Sequence, residues 1–186
     1  MNVIETFYIS PIIRGTLSLF YVALLLPLPF LAQKTGGASP LWMSAGIFLG
    51  MIALQGALSQ RVTVDDAAIR VEYPRWFPAF LVKSWYLPWT EIAALKMRST
   101  GQGGIVYYLL NKSNEGYLLP MRIAGFNRLV TVLQEKTAIN TEDVRPLSQP
   151  WMYFFLLIVT CLLLLIDLWS IWMATTPGIL RSLTPA

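Results

Sequence analysis

The chain has 186 residues, of which 55% are hydrophobic and only 13% are charged. That charged fraction is about half of what a soluble globular domain carries, which argues against a wholly soluble protein. The hydrophobic residues fall in three blocks, whereas most charged residues lie between Arg61 and Arg145. Such segregation is typical of an integral membrane protein, because the hydrocarbon core does not solvate charge and is crossed by apolar helices.

Three apolar segments are long enough to cross a bilayer as helices. The first two, residues 15–32 and 41–58, each give a helix of roughly 27 Å. The turn-rich QKTGGASP between them predicts a helical hairpin, and Pro27 and Pro29 are expected to kink its first helix. A cleaved signal peptide is the rival interpretation of the first segment, but its length, its prolines and the lack of a small-residue cleavage site argue against it.

The third apolar segment, residues 151–175, has tryptophans near both ends, as in an aromatic belt at the two membrane interfaces. The chain therefore divides into an N-terminal tail with the hairpin (1–59), a central domain (60–148), and the third span with a short tail (149–186).

Basic residues near the span ends predict the orientation of the chain. The side that holds the N-terminus and the central domain carries Arg14, Arg61, Arg70, Arg75, Lys136 and Arg145. The opposite side carries Lys34 and Arg181. The positive-inside rule therefore predicts an integral membrane protein, in the thylakoid or plasma membrane, with its central domain on the cytoplasmic or stromal side.

Short segments of alternating polarity in the central domain predict β-strands. Three hairpins are expected, pairing 61–64 with 69–73, 83–87 with 92–97, and 105–110 with 117–121. Asn127 is then expected to cap a helix over 128–137, with Leu129, Val130 and Leu133 as its apolar stripe. The predicted fold class is three transmembrane helices plus a small β-rich domain, a bent sheet or partly open barrel capped by one C-terminal helix.

Residues 40–140 resemble the bacterial pleckstrin-homology-like membrane domains. The pattern V-x-V-D-D-x-x-I-x-V at Val62–Val71 is followed by a strand that runs into a W-x-x-I step at Trp89–Ile92. The segment Leu119–Met121, leading into Phe126 and the Leu129/Leu133 helix, is similar to the closing helix of that family. The resemblance implies a seven-stranded bent sheet capped by a C-terminal helix, and it implies no catalytic activity.

A second resemblance concerns photosynthetic membranes. The segments TGQGGIVYYLL, YLLPMRIAGFNRLV and RPLSQPWMY are similar to uncharacterised cyanobacterial thylakoid proteins. Two N-terminal spans followed by a small β-rich stromal domain also resemble a photosystem I assembly protein family, which lacks a third, C-terminal span. This resemblance implies a photosystem as the partner complex.

The sequence offers little for catalysis or cofactor binding. It contains no histidine, so the commonest general base and metal ligand are missing, and Cys161 is its single cysteine. The paired acids Asp65–Asp66 lie in a predicted turn, where such residues are ordinarily turn formers. The central domain carries eleven basic and eight acidic residues, too mild a surplus for nucleic-acid binding. We therefore expect no enzyme activity, no cofactor and no metal.

An apolar loop over residues 73–81 is the first candidate binding surface. Two prolines make it a loop, yet it is too apolar to be left in water without a role. It either completes the core, dips into the headgroup layer, or docks on a partner. Its candidate contact residues are Arg75, Trp76, Phe77, Phe80 and Leu81, and nearby Arg70 and Lys83 are candidate contacts for lipid phosphates.

Two further candidates lie in the predicted spans. Gly46 and Gly50 are four residues apart, a spacing that lets helix backbones approach closely, either within the hairpin or against a foreign helix. Asp167 is an acid in an apolar helix, and is either interfacial or an acceptor for a partner's donor or cation within the membrane.

Two functions follow from these features. The first is a non-enzymatic assembly or auxiliary factor that binds a membrane protein complex, a photosystem if the source is cyanobacterial. The alternative is a module that binds lipid headgroups and organises the membrane.

Overall fold

The computed structural model describes residues 4–35, 39–99, 101, 105–141, 144 and 150–175. The chain forms two units, one made of Met1–Arg14 and Gln55–Pro150 and the other of Gly15–Leu54 and Trp151–Ala186. Arg145 and Arg181, which entered the orientation prediction, lie outside the described residues, as does the predicted C-terminal tail.

The strands are β1 (Glu5–Tyr8), β2 (Arg61–Val64), β3 (Ala68–Glu72), β4 (Trp85–Pro88), β5 (Ile92–Ser99), β6 (Ile105–Asn111) and β7 (Gly116–Leu118). The helices are α1 (Pro11–Leu25), α2 (Leu28–Thr35), α3 (Pro40–Ala57), α4 (Phe126–Thr137) and α5 (Pro150–Thr175), and a single 3-10 turn covers Trp89–Glu91.

Three helical segments among the described residues are long and apolar enough to cross a membrane: Pro11–Gln33, Pro40–Ala57 and Trp151–Met173, with mean hydropathies of 1.9, 1.4 and 2.6. They correspond to the three predicted spans. The first is interrupted between α1 and α2 at Leu26–Pro27, because a proline has no N–H to donate along the helix and its ring crowds the preceding turn.

The first sheet is antiparallel in the order β1-β2-β3-β4, and it includes a strand that the sequence pattern misses. In β1, Phe7 pairs with Val62 of β2, so this strand precedes the helical hairpin while its partner follows it. The predicted N-terminal tail therefore contains part of the sheet. Four residues show too little alternation to be recognised, and the partner is remote in sequence.

The second sheet is antiparallel in the order β5-β6-β7. The predicted hairpins β2–β3 and β6–β7 are confirmed, but the predicted pairing of 83–87 with 92–97 is wrong, because β4 pairs with β3 and β5 with β6. The turn at Trp89–Glu91 carries the chain from one sheet to the other. It is held by the Trp89 indole, whose Nε1–H donates to the Asp65 carbonyl at 2.9 Å.

Helix α4 packs on both sheets and completes a single hydrophobic core. It begins at Phe126 rather than after Asn127, and Gly125 precedes it with φ +79°, so the predicted Asn127 cap is wrong. The left-handed conformation at Gly125 is costly for other residues, which explains the glycine. The buried face consists of Phe126, Leu129, Val132 and Leu133, while the predicted Val130 is only partly buried.

The two sheets are joined through the segment that follows β1. There Ile9 forms a bridge with Ile123, just before α4, and the Ala124 N–H donates to the Tyr8 carbonyl at 2.8 Å. β4 and β7 are edge strands of different sheets, and within the described residues they are not paired with each other.

Candidate functional site

The predicted aromatic loop divides into one buried residue and several exposed ones. Phe77 is only 7% exposed, whereas Trp76 is 56%, Phe80 86% and Leu81 57% exposed. Arg75 is also exposed. Within the loop, Phe77 is therefore buried and Tyr73 packs against the core. Four other residues form an outward surface, which we call the aromatic tip (Arg75, Trp76, Phe80 and Leu81).

Phe77 holds the loop in place through a contact with Gly56, in the last turn of α3. A Cβ atom built on Gly56 would overlap the Phe77 ring and lie 2.8 Å from its Cγ, so only glycine leaves room for the ring. The Phe77 ring is stacked on Tyr73 with centroids 6.5 Å apart, and Trp76 meets it edge-on at 5.8 Å. The aromatic tip is thus displayed from a packed base.

A cleft of about 1060 Å³ lies in the gap between β4 and β7. Its walls carry several aromatic side chains, and Trp85 and Tyr117 approach across it with ring centroids 5.4 Å apart. Strands at a sheet edge present unpaired backbone N–H and C=O groups, which accept an added strand. The aromatic lining residues are Tyr73, Trp85, Tyr86, Tyr108 and Tyr117.

The charged residues of the cleft differ in their hydrogen-bond and ion-pair partners. Glu115 accepts hydrogen bonds from Asn111 Nδ2 at 2.9 Å and from the Tyr117 hydroxyl at 3.1 Å. The Glu115 carboxylate raises the pKa of Tyr117, because deprotonation would cost that hydrogen bond and place two negative charges together. Lys83 and Arg122, by contrast, have no ion-pair partner among the described residues. The cleft therefore presents two cations to an incoming ligand.

The two predicted phosphate contacts are placed differently. Arg70 pairs with Asp65 at 3.0 Å, and its guanidinium carbon lies 5.0 Å from the centre of the Tyr86 ring. The carboxylate and the aromatic face thus engage Arg70 within the domain. Lys83 is exposed and lines the cleft, so of the two it is the side chain open to a ligand.

The two glycines of α3 that the sequence pattern singled out, Gly46 and Gly50, have different surroundings. A Cβ on Gly50 would overlap the Tyr21 hydroxyl of α1, whereas a Cβ on Gly46 meets nothing within 4 Å. The Tyr21 hydroxyl donates to the Ile47 carbonyl at 2.9 Å. Gly50 therefore serves the first of the two predicted alternatives, packing within the helical hairpin. Gly46 faces open space.

Gly50→Leu should lower the stability of the helical hairpin, since the added side chain displaces Tyr21 and its hydrogen bond. Loss of that bond and overpacking together cost about 1–3 kcal/mol. Gly46→Leu makes the same change on the same helix in open space, and should leave stability unchanged. Thermal unfolding of the two detergent-solubilised variants compares them, and equal losses would contradict the assignment of Gly50 to the α1 contact.

Asp167 lies on the inward side of α5 and is only 8% exposed. Its Oδ2 atom has no hydrogen-bond partner within the part of the chain that the structure describes, and neither has the hydroxyl of the buried Thr16 of α1. Thr160, seven residues before Asp167, is buried too and donates to the Leu156 carbonyl at 2.7 Å. Asp167 is therefore positioned toward helix packing, not toward the exposed surface of α5.

Within the described ranges, no group of three or more His, Cys, Asp or Glu side chains is arranged to hold a metal ion. Cys161 is exposed on α5.

The sequence pattern missed the cleft. Its aromatic and basic residues come from two segments, 73–86 and 108–122, that are more than twenty residues apart in the chain, and they meet because the edge strands β4 and β7 lie close together. The available signal was the unusual number of tyrosines in 107–117, which the pattern of alternation treats as ordinary strand residues.

The chain is 50% identical over 162 residues to "Uncharacterized protein slr0269" of Synechocystis sp. (strain ATCC 27184 / PCC 6803 / Kazusa), a match that covers 86% of this chain and 81% of the relative. No family model and no solved structure matches the chain.

Proposed function

We propose that this chain, which belongs to the family of the Synechocystis protein slr0269, is a non-enzymatic membrane assembly or auxiliary factor. In this function the three apolar helices hold it in the bilayer, and the β-rich domain binds an integral membrane protein complex. The observation that carries the proposal is the cleft between β4 and β7, with its two edge strands, its aromatic walls and two cations that have no ion-pair partner among the described residues.

Membrane insertion is supported by the surfaces of the helices. The α5 side chains Phe155, Leu165 and Trp169 are 62%, 62% and 63% exposed, and α3 exposes Trp42 and Phe48 in the same way. Burying such surface in lipid is favourable by about 25 cal/mol per Å² of apolar area, whereas leaving it in water promotes aggregation.

A pleckstrin-homology-like fold is supported by the number and order of elements. Four antiparallel strands are followed by three more and then by α4, which matches the seven-stranded bent sheet and closing helix that the resemblance implies. Trp89 and Ile92 of the W-x-x-I step are both buried in the core. Under this proposal the helical hairpin is an insertion between the first and second strands of the domain.

The cleft suits an extended acidic segment of a protein partner. An added strand pairs with the free edges of β4 or β7, and its side chains pack on Trp85 and Tyr108. Lys83 and Arg122 attract carboxylates, which raises the association rate and selects against basic segments. The relative comes from a photosynthetic bacterium, and we therefore propose a photosystem as the complex, a thylakoid location, and a cytoplasmic or stromal side for the domain.

Affinity purification from gently solubilised native membranes tests this function. Wild-type protein should carry photosystem subunits with it, and the double variant Lys83→Glu/Arg122→Glu should lose them, because both cations of the cleft become repulsive to acidic residues. We expect at least a tenfold loss, since like-charge juxtaposition costs several kcal/mol, well above the about 1.4 kcal/mol of one decade.

Lys96→Glu/Arg98→Glu is the matched control. It reverses two exposed charges on β5, outside the cleft, and changes the net charge by the same amount. This control should retain the photosystem subunits. Elution of the wild-type chain alone, or equal loss in both double variants, would contradict the proposal.

Binding of lipid headgroups is the second candidate function, and the exposed aromatic tip favours it. If that were the whole function, the chain would bind anionic vesicles without any protein partner, and Lys83→Glu/Arg122→Glu would weaken that binding, since Lys83 is a candidate contact for a lipid phosphate.

A further inference from the structure

We infer that the aromatic tip inserts into the interfacial layer of the bilayer that holds the helices. The tip would then act as a fourth membrane contact that holds the β-rich domain against the membrane surface. This inference rests on the membrane insertion of α3 in the proposed function, but it concerns a lipid contact and does not depend on the partner.

The length of α3 sets the depth of its last turn. Its 18 residues span about 27 Å, slightly less than the roughly 30 Å hydrocarbon core. A helix this short has no residues to spare, so when it crosses the bilayer its two ends lie at the hydrocarbon boundaries. Gly56 is the penultimate residue of α3 and therefore lies at one boundary.

The loop is attached at that level by direct contact. The Phe77 ring rests on Gly56, and the Trp76 ring centre is 5.8 Å from the centre of the Phe77 ring. The interfacial layer is about 5–8 Å thick on each side of the core. The Trp76 ring is thus joined to the boundary residue Gly56 through one intervening ring, a separation comparable with the thickness of that layer.

The chemistry of the aromatic tip fits this depth. Trp76 has an apolar ring system and one N–H donor, the combination that favours the membrane interface. Phe80, at 86% exposure, and Leu81 bring apolar area that gains from lipid contact. Arg75 is exposed and has no ion-pair partner among the described residues, so its guanidinium is available to a lipid phosphate.

Lipid is a better occupant for this surface than a protein partner. The neighbouring end of α3 already requires lipid around it, and the contact between Phe77 and Gly56 holds the aromatic tip beside that end. Other open apolar surface of the domain, such as Leu118, lies by the cleft and is not tied to a helix end.

Depth-dependent quenching in reconstituted vesicles tests the inference. Phe80→Cys is made in a Cys161→Ser background, because Cys161 is exposed and would also be labelled. The purified full chain, carrying a polarity-sensitive fluorophore at position 80, is placed in phosphatidylglycerol/phosphatidylcholine vesicles. We expect blue-shifted emission and strong quenching by lipids that carry bromine near the headgroup, with no other protein present.

Glu135→Cys is the matched control site. It is exposed on α4 next to Lys136, which pairs with Asp66 at 2.9 Å in the β2–β3 turn, at the end of β2 away from α3. The same fluorophore at this position should show water-like emission and little quenching. A label at position 80 that behaves like the one at position 135 would overturn the inference.

Trp76→Ser/Phe80→Ser supplies a second measurement that does not need a label. Both side chains are exposed, so the variant should still fold, with a small decrease in melting temperature from the lost Trp76–Phe77 contact, while tryptophan quenching by the same brominated lipids decreases. Unchanged quenching would overturn the inference, as would quenching at position 80 that requires added native membrane proteins.

Alkaline extraction of the vesicles separates this inference from the proposed function. Protein that stays in the membrane with an unquenched label at position 80 refutes the lipid contact alone. Protein that is extracted refutes the insertion on which both depend. A wild-type chain that shows quenching at position 80 but is purified from native membranes without photosystem subunits refutes the partner alone.

Discussion

Gly56→Ala is expected to destabilise the β-rich domain, although alanine favours helices. The new Cβ would overlap the Phe77 ring close to its attachment point, so the ring must leave its site rather than tilt. Removing a buried phenylalanine costs about 3–5 kcal/mol, and alanine recovers up to about 1 kcal/mol of helix propensity. We therefore expect a net loss of about 2–4 kcal/mol, measured by thermal unfolding.

Gly46→Ala in the same helix is the control for this change. It adds the same methyl group where nothing lies within 4 Å, so it should be neutral or slightly stabilising. Protease cleavage in the loop 73–81 should rise in the Gly56 variant alone. Equal melting temperatures for the two variants would show that Phe77 does not depend on Gly56.

Asp65→Ala should destabilise the domain by about 2 kcal/mol, more than Asp66→Ala does. The Asp65 carboxylate accepts hydrogen bonds from the Ala67 and Ala68 amides, both at 2.8 Å, and pairs with Arg70. Each hydrogen bond to a charged group contributes about 1.5–3 kcal/mol when fully made, and part of this is recovered from water. Asp65 therefore holds the β2–β3 turn and, through Arg70, the adjoining strands.

Asp66→Ala is the matched control. Asp66 makes one ion pair with Lys136 at 2.9 Å, and both side chains are well exposed. An exposed pair of this kind contributes about 0–1 kcal/mol. Unfolding by denaturant should therefore show a clear midpoint shift for Asp65→Ala and a small one for Asp66→Ala, and the reverse order would contradict these roles.

The stability difference between wild type and Asp65→Ala should disappear at acidic pH. Desolvation raises the pKa of Asp65, but the amides of Ala67 and Ala68 and the Arg70 guanidinium outweigh it, so the pKa lies below its ordinary value. The hydrogen bond from Arg128 likewise lowers the pKa of Glu5. A carboxyl group whose pKa is lower in the folded state stabilises the fold fully above its unfolded pKa, about 4. That contribution is lost as the pH falls through the folded pKa.

The melting temperature of wild type should therefore fall below about pH 4, and that of Asp65→Ala should fall less steeply. Melting curves between neutral pH and pH 2 measure the two slopes. Parallel slopes would mean that the Asp65 carboxylate contributes nothing to this pH dependence.

The proposals for lipid and for protein contact concern adjoining surfaces of one domain. Trp76 and Phe80 of the aromatic tip lie outside the lining of the cleft, whereas Leu81, Lys83 and Arg122 belong to it. Each surface can therefore be changed at residues that the other does not use. A chain that keeps its lipid contact but loses its partner would show that the membrane surface positions the domain and the cleft selects what it binds.

Composition and periodicity were sufficient for the helices and for most strands, because those signals are local. A run of eighteen apolar residues has one stable arrangement in a bilayer, and alternation in 61–64 and 69–72 needs only a neighbouring turn to become a hairpin. The sequence does not predict which aromatic residue of the loop is buried, since Phe77 and Trp76 are adjacent and both are aromatic. Only the space above Gly56 separates a buried ring from an exposed one.

The remaining features depend on contacts between distant parts of the chain. β1 is a strand because β2 lies beside it, and its four residues carry no sufficient signal alone. The break between β4 and β5 follows from the Trp89 indole bonding to Asp65, which no spacing rule predicts. The cleft exists because two sheets end side by side. Edges, gaps and buried neighbours are properties of packing, and packing between remote segments is what tertiary structure alone decides.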